Sequence, residues 1–404
     1  MDNRAGIAES SLLYTFSESD LIYTLLGLAI QKNYSVALWR LPHETVHRLL
    51  ISREITWLKQ NDPLETLPPG FIFAPFDNFL DRVFLKEDIC FAFEANTLKA
   101  PDTDLEAESY SWLQSELKNY RQQETPYYKS PFSQPVLGMD EFLALIGEAI
   151  LEIEALKLQK IVPSRIDLID LQPTFNVSIA FNTLCEVNPS ALISFVSTPT
   201  TGTWLGATPE LLVSVKDGLF RTVALAGTQR SKEGQELRSV AWTQKDIAEQ
   251  ALVERYIISC FKMIRLREYE EHGPKTVVAG NLLHLKSEFK VDMQATNFPQ
   301  LGSVMLKLLH PTSAVCGSPL PTAMNFLKTH EKYERQFYTG YLGPVNLNRD
   351  IQLYVNLRCA QLIEGKAVLY AGPGITLDSN PELEWDETEI KMQTLRSALS
   401  GTLL

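Results

Sequence analysis

The segment YAGPGITLDSNPELEWDETEIK, residues 370–391, runs from an apolar strand through a glycine-rich turn into a long polar helix. A proline and several acidic residues stand where the first turn of this helix should be, so we predict a helix over 380–399. Glu384, Glu387 and Lys391 are spaced i, i+3 and i+7 and therefore share one helix face. The segment thus predicts a carboxylate-bearing helix at the end of a sheet.

A second acidic pair, Asp246 and Glu249, lies on a helix predicted over Trp242–Arg267. Four carboxylates on two helices could hold one hard octahedral cation, a role that suits Mg²⁺ better than Ca²⁺ or Zn²⁺. From spacing alone, however, a solvated acidic face with an i,i+4 pair between Glu387 and Lys391 is the more frequent explanation.

Three charged residues stand in apolar strand-like surroundings, namely Lys160, Glu210 and Arg358. A buried lysine can act as a general base, and a buried carboxylic acid can act as a general acid. An arginine in such a place is a natural partner for a carboxylate. Edge positions or structural salt bridges would explain the same residues. The turn Gly372-Pro373-Gly374 could bring backbone N–H groups to an anion, although a plain turn is the more frequent role.

The composition excludes several classes of protein. The 404 residues include 37 Lys+Arg and 49 Asp+Glu, a net charge of −12, which argues against nucleic acid and anionic membranes as main partners. The five cysteines follow no disulfide or metal pattern and indicate reduced, mostly buried thiols. The six histidines have no zinc spacing. Asp2, Arg4 and Glu9 do not fit a signal peptide, and no apolar run is long enough for a membrane helix, so we predict a soluble, cytoplasmic protein.

The hydrophobic pattern predicts an α+β fold, with hairpins and separate helices in place of a regular βαβ alternation. Length alone would suggest two or three domains. Further predicted helices are Ser19–Lys32, with Ser19 as N-cap, and Asp140–Lys157. The predicted strands are 34–39, 160–162, 177–181 and 191–196, with hairpins over 211–225 and between 351–357 and 367–370. A surface connection is predicted over 120–135.

Together these segments resemble the chorismate-utilising enzymes, a family that includes isochorismate synthase, salicylate synthase, anthranilate synthase component I and aminodeoxychorismate synthase. The resemblance covers roughly residues 158–395. The matching motifs, in chain order, are LQKIVPSR (158–165), GATPELL (206–212), TVALAGT (222–228), KDIAE (245–249), LHPTSAVCG (309–317), FYTGYLG (337–343), LRCA (357–360) and YAGPGI (370–375) with NPELEWDETEIK (380–391).

The resemblance implies a role for each candidate residue. Lys160 matches the base that activates water, and Glu210 matches the acid opposite it. The implied Mg²⁺ ligands are Glu249 and Glu387, with Asp246 and Glu384 as partners that act directly or through water. The implied substrate-binding and pocket groups are Arg358, Tyr338, Lys391, the backbone at Gly372, Gly227, Thr228 and His284.

Two positions favour isochorismate synthase within the family. Anthranilate synthases typically carry a glutamine where this chain has Lys160, and they place a threonine where Ala314 stands, as do some salicylate synthases. The implied reaction adds water at carbon 2 of chorismate and removes the hydroxyl at carbon 4. Salicylate synthase, which then eliminates pyruvate, is the nearest alternative. An amino-transferring synthase subunit and an inactive binding protein are further ones.

The resemblance also implies the architecture and the partners. It implies one compact unit, 1–404, built as a large two-sheet sandwich flanked by helices, in place of two or three domains. Residues 1–120 form its divergent N-terminal half, and 136–400 form the family core with the active site. Chorismate is the expected partner and Mg²⁺ the expected cofactor, with no obligatory glutaminase subunit. The product of such enzymes serves menaquinone, siderophore or salicylate biosynthesis.

Overall fold

The structure is a computed structural model that describes residues 17–123, 125–230, 236–279 and 282–401. In these residues the strands form two nine-stranded antiparallel sheets and a two-stranded ribbon. The first sheet has the spatial order β7 (Thr97–Leu98), β6 (Ile89–Glu94), β2 (His47–Ser52), β1 (Ser35–Arg40), β10 (Leu192–Thr198), β11 (Gly202–Thr208), β19 (Cys359–Ile363), β20 (Lys366–Ala371) and β9 (Arg165–Asp170).

The second sheet uses the remaining long strands. Its order is β14 (Glu270–Ala279), β15 (Leu282–Asp292), β13 (Leu219–Arg230), β12 (Leu211–Lys216), β18 (Asp350–Val355), β17 (Tyr341–Leu347), β4 (Gly70–Ala74), β5 (Arg82–Lys86) and β3 (Ile55–Leu58). The ribbon pairs β8 (Lys160–Ile161) with β16 (Gly317–Ser318). Because β1 pairs with β10 and β4 pairs with β17, strands from the first hundred residues are built into both large sheets.

Helices cover the outer faces of the two sheets. They are α1 (Glu18–Gln31), α2 (Asp104–Leu117), α3 (Met139–Glu154), α4 (Val177–Val187), α5 (Gln244–Met263), α6 (Leu301–Leu309), α7 (Leu320–His330) and α8 (Pro381–Ser400), with short 3-10 turns at Leu64–Thr66 and Leu237–Ser239. Helices α1, α4 and α8 pack on the first sheet, and α5 and α6 pack on the second. In the described residues, no helix is both long enough and apolar enough to span a bilayer.

The core lies between the sheets as well as beneath the helices. In β1, Val36 and Leu38 pack towards the helices, whereas Ala37 and Trp39 pack towards the second sheet. This alternation follows from the two-residue period of a strand. Trp39 meets Phe71 of the second sheet with ring centroids 5.1 Å apart. The α+β class and the two-sheet sandwich with flanking helices are therefore confirmed.

Most predicted elements are confirmed to within a few residues, among them the strands of 34–39 and 191–196, the hairpin of 211–225, and the helices of 242–267 and 380–399. The cysteines are free thiols, and Cys260, Cys316 and Cys359 are buried. The N-terminal residues that argued against a signal peptide lie outside the described part of the chain.

Four local predictions are wrong. Residues 177–181 begin α4 instead of a strand, because the Asn176 side chain accepts hydrogen bonds from two backbone N–H groups and caps a helix. The N-cap of α1 is Ser17, not Ser19. The strand of 351–357 belongs to the second sheet, and the hairpin partner of β20 is β19. The connection of 120–135 is not wholly on the surface, since Tyr127 is buried.

Candidate active site

The site forms where the chain crosses between the two sheets. Glu210 lies on the crossing from β11 to β12, and Arg358 lies on the return crossing from β18 to β19. The two crossings are held side by side, because the Ala207 N–H donates to the Arg358 carbonyl and the Val355 N–H donates to the Glu210 carbonyl, each at 2.9 Å. Thr208 Oγ1 adds a 2.6 Å bond to the Val355 carbonyl. The topology thus places an acid and a guanidinium side by side at the ends of interior strands of both sheets.

Glu210 is buried and tuned to hold a proton. Burial raises the pKa of this carboxyl group from 4.5 to about 7, even though the charges of Lys160, Lys391 and Arg358 act in the opposite direction. A carboxylic acid with a pKa near neutrality can donate a proton at physiological pH. The predicted general acid therefore has the electrostatic property that its role requires.

Lys160 lies behind the cavity wall, on the two-stranded ribbon, and is completely buried. Its Nζ lies 2.8 Å from Glu249 Oε1, so the amine is engaged by a carboxylate and is not open to the cavity. Gly374 makes this pair possible. A Cβ at Gly374 would lie 2.1 Å from the Glu249 carboxylate and 3.0 Å from Lys160 Cε. The glycine-rich turn is thus required by close packing around the Lys160–Glu249 pair.

Arg358 and Lys391 supply positive charge to the cavity. The Nη1 atom of Arg358 is buried without a hydrogen-bond partner. Burial lowers the pKa of this guanidinium to about 10, which still leaves it cationic at neutral pH. Lys391 Nζ donates to the Gly372 carbonyl at 2.8 Å and lies 2.6 Å from Glu387. An unpaired buried guanidinium that lines a cavity is suited to receive a carboxylate from a ligand.

His284 provides a hydrogen-bond acceptor. Burial lowers the pKa of its imidazole to about 3, so the ring is neutral. Its Nδ1 lies 2.7 Å from the Gly227 carbonyl and must donate to it, which leaves Nε2 as an unpartnered acceptor. Gly227 has φ +68° at the irregularity in the pairing of β13 with β15, a conformation that favours glycine. Its carbonyl therefore fixes the tautomer of the histidine.

The predicted metal ligands lie on α5 and α8, but each of them already contacts another group of the protein. Glu384 is paired with Lys245, and Glu384 Oε2 is buried without a partner. Asp246 is used differently, because one of its oxygens accepts from the backbone and hydroxyl of Thr243 in a capping box at the start of α5. Within the described residues, no three acidic, histidine or cysteine side chains converge as a ready-made metal site.

The donor chemistry nevertheless fits a hard divalent cation. Glu249, Glu384 and Glu387 offer carboxylate oxygens alone, and the unpartnered oxygen of Glu384 is available for one more interaction. Burial raises the pKa of Glu384. At Glu387 burial acts in the same direction, but the positive charges of Lys391 and Lys245 outweigh it, so the pKa of Glu387 is lowered. The ammonium group of Lys245 also lies close to this carboxylate cluster, and its pKa is raised by Glu384, Glu387 and Glu249 against the effect of burial.

One cavity brings most of the predicted residues together. Those that line it are Glu210, Gly227, Thr228, Glu249, His284, Ala314, Tyr338, Arg358, Gly372, Glu387 and Lys391. Lys160, Asp246 and Glu384 do not line it. The sequence analysis missed Lys245, although its i,i+4 relation to Glu249 within the KDIAE motif was a usable signal. It also missed Thr339 and Val162, which no sequence pattern singles out because their roles depend on tertiary contacts.

The chain is similar in sequence to known enzymes. Isochorismate synthase EntC of Escherichia coli strain K12 is 29% identical over 247 residues, which are 59% of this chain and 62% of that protein. The aligned region therefore spans less than two thirds of that relative's length.

Two solved structures share the fold. MenF, the menaquinone-specific isochorismate synthase of Escherichia coli, matches with a TM-score of 0.73 at 20% identity, covering 93% of this chain and 91% of that one. Anthranilate synthase component I of Streptococcus pneumoniae matches with a TM-score of 0.66 at 19% identity, covering 90% and 89%. The family model described as chorismate binding enzyme matches residues 79–400, and the chain therefore belongs to the chorismate binding enzyme family.

Proposed function

We propose that this protein is a Mg²⁺-dependent isochorismate synthase, which converts chorismate to isochorismate. The observation that supports this most strongly is the combination of a buried acid with pKa near 7, Glu210, and a buried lysine close enough to influence it, Lys160. Both lie beside a cavity with an unpaired guanidinium, and chorismate carries two carboxylates. Addition of water and loss of a hydroxyl require one base and one acid, and this pair can supply both.

In the proposed mechanism, Arg358 and Lys391 bind the substrate carboxylates. Lys160 first gives up its ammonium proton to solvent and leaves the ion pair with Glu249, and the neutral amine then accepts a proton from the water that attacks ring carbon 2. Glu210 donates its proton to the hydroxyl that departs from carbon 4, and the ring double bonds shift between the two positions. Glu249, Glu384 and Glu387 would hold Mg²⁺, which supplies positive charge for the ring carboxylate.

The side chains at two positions favour hydroxyl transfer over the alternatives. A lysine at position 160 can activate water, whereas the glutamine of anthranilate synthases cannot act as a base. Ala314 lines the cavity, where a threonine stands in anthranilate synthases and some salicylate synthases. Both features support an isochorismate product that keeps its pyruvyl side chain.

Product analysis tests the proposal. The purified protein is incubated with chorismate and Mg²⁺, the products are separated by chromatography, and pyruvate is measured with a coupled dehydrogenase. We expect isochorismate without pyruvate. Salicylate with stoichiometric pyruvate would replace the proposal by salicylate synthase, and an ammonia-dependent amino product would replace it by an amino-transferring synthase.

Two substitutions test the assigned roles. Lys160→Ala and Glu210→Gln should each abolish turnover while the circular dichroism spectrum stays that of the wild type. Near-normal activity in either variant would contradict the base or the acid assignment.

A further inference from the structure

Arg335 is a second buried arginine beside the cavity, and its contacts differ from those of Arg358. It is 4% exposed and lies on the segment between α7 and β17. Its Nε donates to Glu331 Oε2 at 2.8 Å, and its Nη2 also pairs with Glu331. Whereas Arg358 keeps an unpartnered nitrogen, all three nitrogens of Arg335 are bonded within the protein. Arg335 is therefore not available to bind a ligand.

The remaining bonds of Arg335 join three separate walls of the cavity. Nη2 donates to the Val162 carbonyl at 2.6 Å, and Nη1 donates to the Val315 carbonyl at 2.8 Å. Nη1 also lies 3.3 Å from Thr339 Oγ1. Val162, Val315 and Thr339 all line the cavity. One planar guanidinium thus joins its own segment, which carries Thr339, to the segments that carry Val162 and Val315.

Each of these segments carries a residue of the proposed reaction. Val162 follows Lys160 by two residues, Val315 follows Ala314, and Thr339 follows Tyr338. The position of Lys160 relative to the substrate therefore depends on the same group that fixes the segments carrying Ala314 and Tyr338. A displacement of about 1 Å in such a group can lower a rate by roughly a hundredfold.

Glu331 extends the same network to Ser164, on the segment that follows Lys160. Its Oε1 accepts from the Ser164 backbone N–H at 2.7 Å and from the Ser164 hydroxyl at 2.8 Å. That hydroxyl lies 2.7 Å from the Tyr333 hydroxyl. The Glu331 side chain is 4% exposed, so the ion pair is shielded from water and holds one geometry.

We propose that Arg335, held by Glu331, is a positioning residue that fixes the segment carrying Lys160 against the segments carrying Ala314 and Tyr338. The inference rests on the proposed function, since it concerns the base of that reaction. It adds a residue that does not touch the substrate and yet controls kcat. A lysine cannot replace it, because a single ammonium group cannot reach three acceptors in the fixed directions of a guanidinium.

The test compares Arg335→Lys with Arg40→Lys. Arg40 is a matched control, since it is 2% exposed and donates to four carbonyl groups, those of Leu41, Cys185, Asn188 and Pro189, away from the cavity. Melting temperature, kcat and KM are measured for both variants and the wild type. We expect both variants to melt at lower temperature. Only Arg335→Lys should lose kcat, by roughly tenfold or more, with KM changed less than about threefold.

The outcomes separate this inference from the proposed function. If the wild type forms no isochorismate, the proposed function fails. If the wild type is active and Arg335→Lys keeps its kcat, Arg335 has only a structural role and the inference is wrong. If Arg335→Lys does not fold, Glu331→Gln takes its place, because it keeps the shape of the pair but removes its charge. A smaller loss of kcat at unchanged KM supports the inference, and an unchanged kcat overturns it.

Discussion

Replacement of Glu210 by glutamine should change how the stability of the protein depends on pH. The carboxyl group has its pKa raised from 4.5 to about 7 by burial in the folded chain, whereas the unfolded chain exposes it to water. The folded state therefore binds the proton more tightly than the unfolded state. The stability that this group contributes is fully present below about pH 4.5 and is lost as the pH rises through about 7.

The size of the effect follows from the two pKa values. Linkage gives a loss of roughly 2 to 3 kcal/mol of unfolding free energy between pH 5 and pH 8 from this carboxyl group alone. Glutamine has nearly the same shape and does not titrate, so Glu210→Gln should lack this loss. Relative to the wild type, the variant should therefore gain roughly 2 to 3 kcal/mol between the two pH values.

Urea unfolding in EDTA at several pH values from 5 to 8 measures this difference for wild type and variant. The titrations of groups remote from Glu210 cancel in the comparison. Glu364→Gln is a suitable control, because the Glu364 side chain is 79% exposed and stays in water. A difference between wild type and Glu210→Gln that stays constant with pH, within roughly 0.5 kcal/mol, would refute the electrostatic account of the general acid.

Three further predictions concern the glutamates that are proposed to bind Mg²⁺. Gly374→Ala should displace the Glu249 carboxylate, because the added Cβ would lie 2.1 Å from it. A kinetic assay should then show kcat/KM lowered by roughly tenfold or more. The control Gly147→Ala, whose Cβ would have no atom within 4 Å, should keep full activity. Lys245→Met should lower the unfolding free energy by about 3 kcal/mol, because it leaves the Glu384 carboxylate buried without a cation. In a double-mutant cycle, adding Glu384→Gln to this variant should recover most of the loss. Chorismate binding measured by calorimetry should be lost in EDTA, and unchanged binding there would contradict the metal proposal.

The sequence predicted the residues of the site better than it predicted their pairing. Glu210 and Arg358 could be proposed because each stands in a recognisable motif next to a strand end. The Lys160–Glu249 pair could not be found, because β8 and α5 are far apart in sequence and meet only in the folded chain. Motifs identify residue types at fixed spacings, whereas ion pairs between elements depend on how those elements pack.

The errors in secondary structure have a similar physical origin. Residues 177–181 are apolar and partly β-branched, which is typical of a buried strand, but Asn176 caps a helix that buries Phe181 and Leu184 against the first sheet. This local hydrogen bond to the backbone decides between strand and helix, and periodicity does not reveal it. One oxygen of Asp246 likewise caps α5, and the role of this residue beside the metal stays a prediction.

The charge balance of the site explains why an acidic protein can be expected to bind a dianion. Three lysines, Lys160, Lys245 and Lys391, each pair with a glutamate of the cluster, so their charges cancel. Arg358 is then the main excess cation at the cavity, and one guanidinium matches only one of two substrate carboxylates. A divalent cation on the glutamates would supply the missing positive charge and would also compete with the lysines for the same oxygens. The glutamates that cancel the three lysine charges are thus the groups that would make the pocket a receptor for a second carboxylate once a metal is bound.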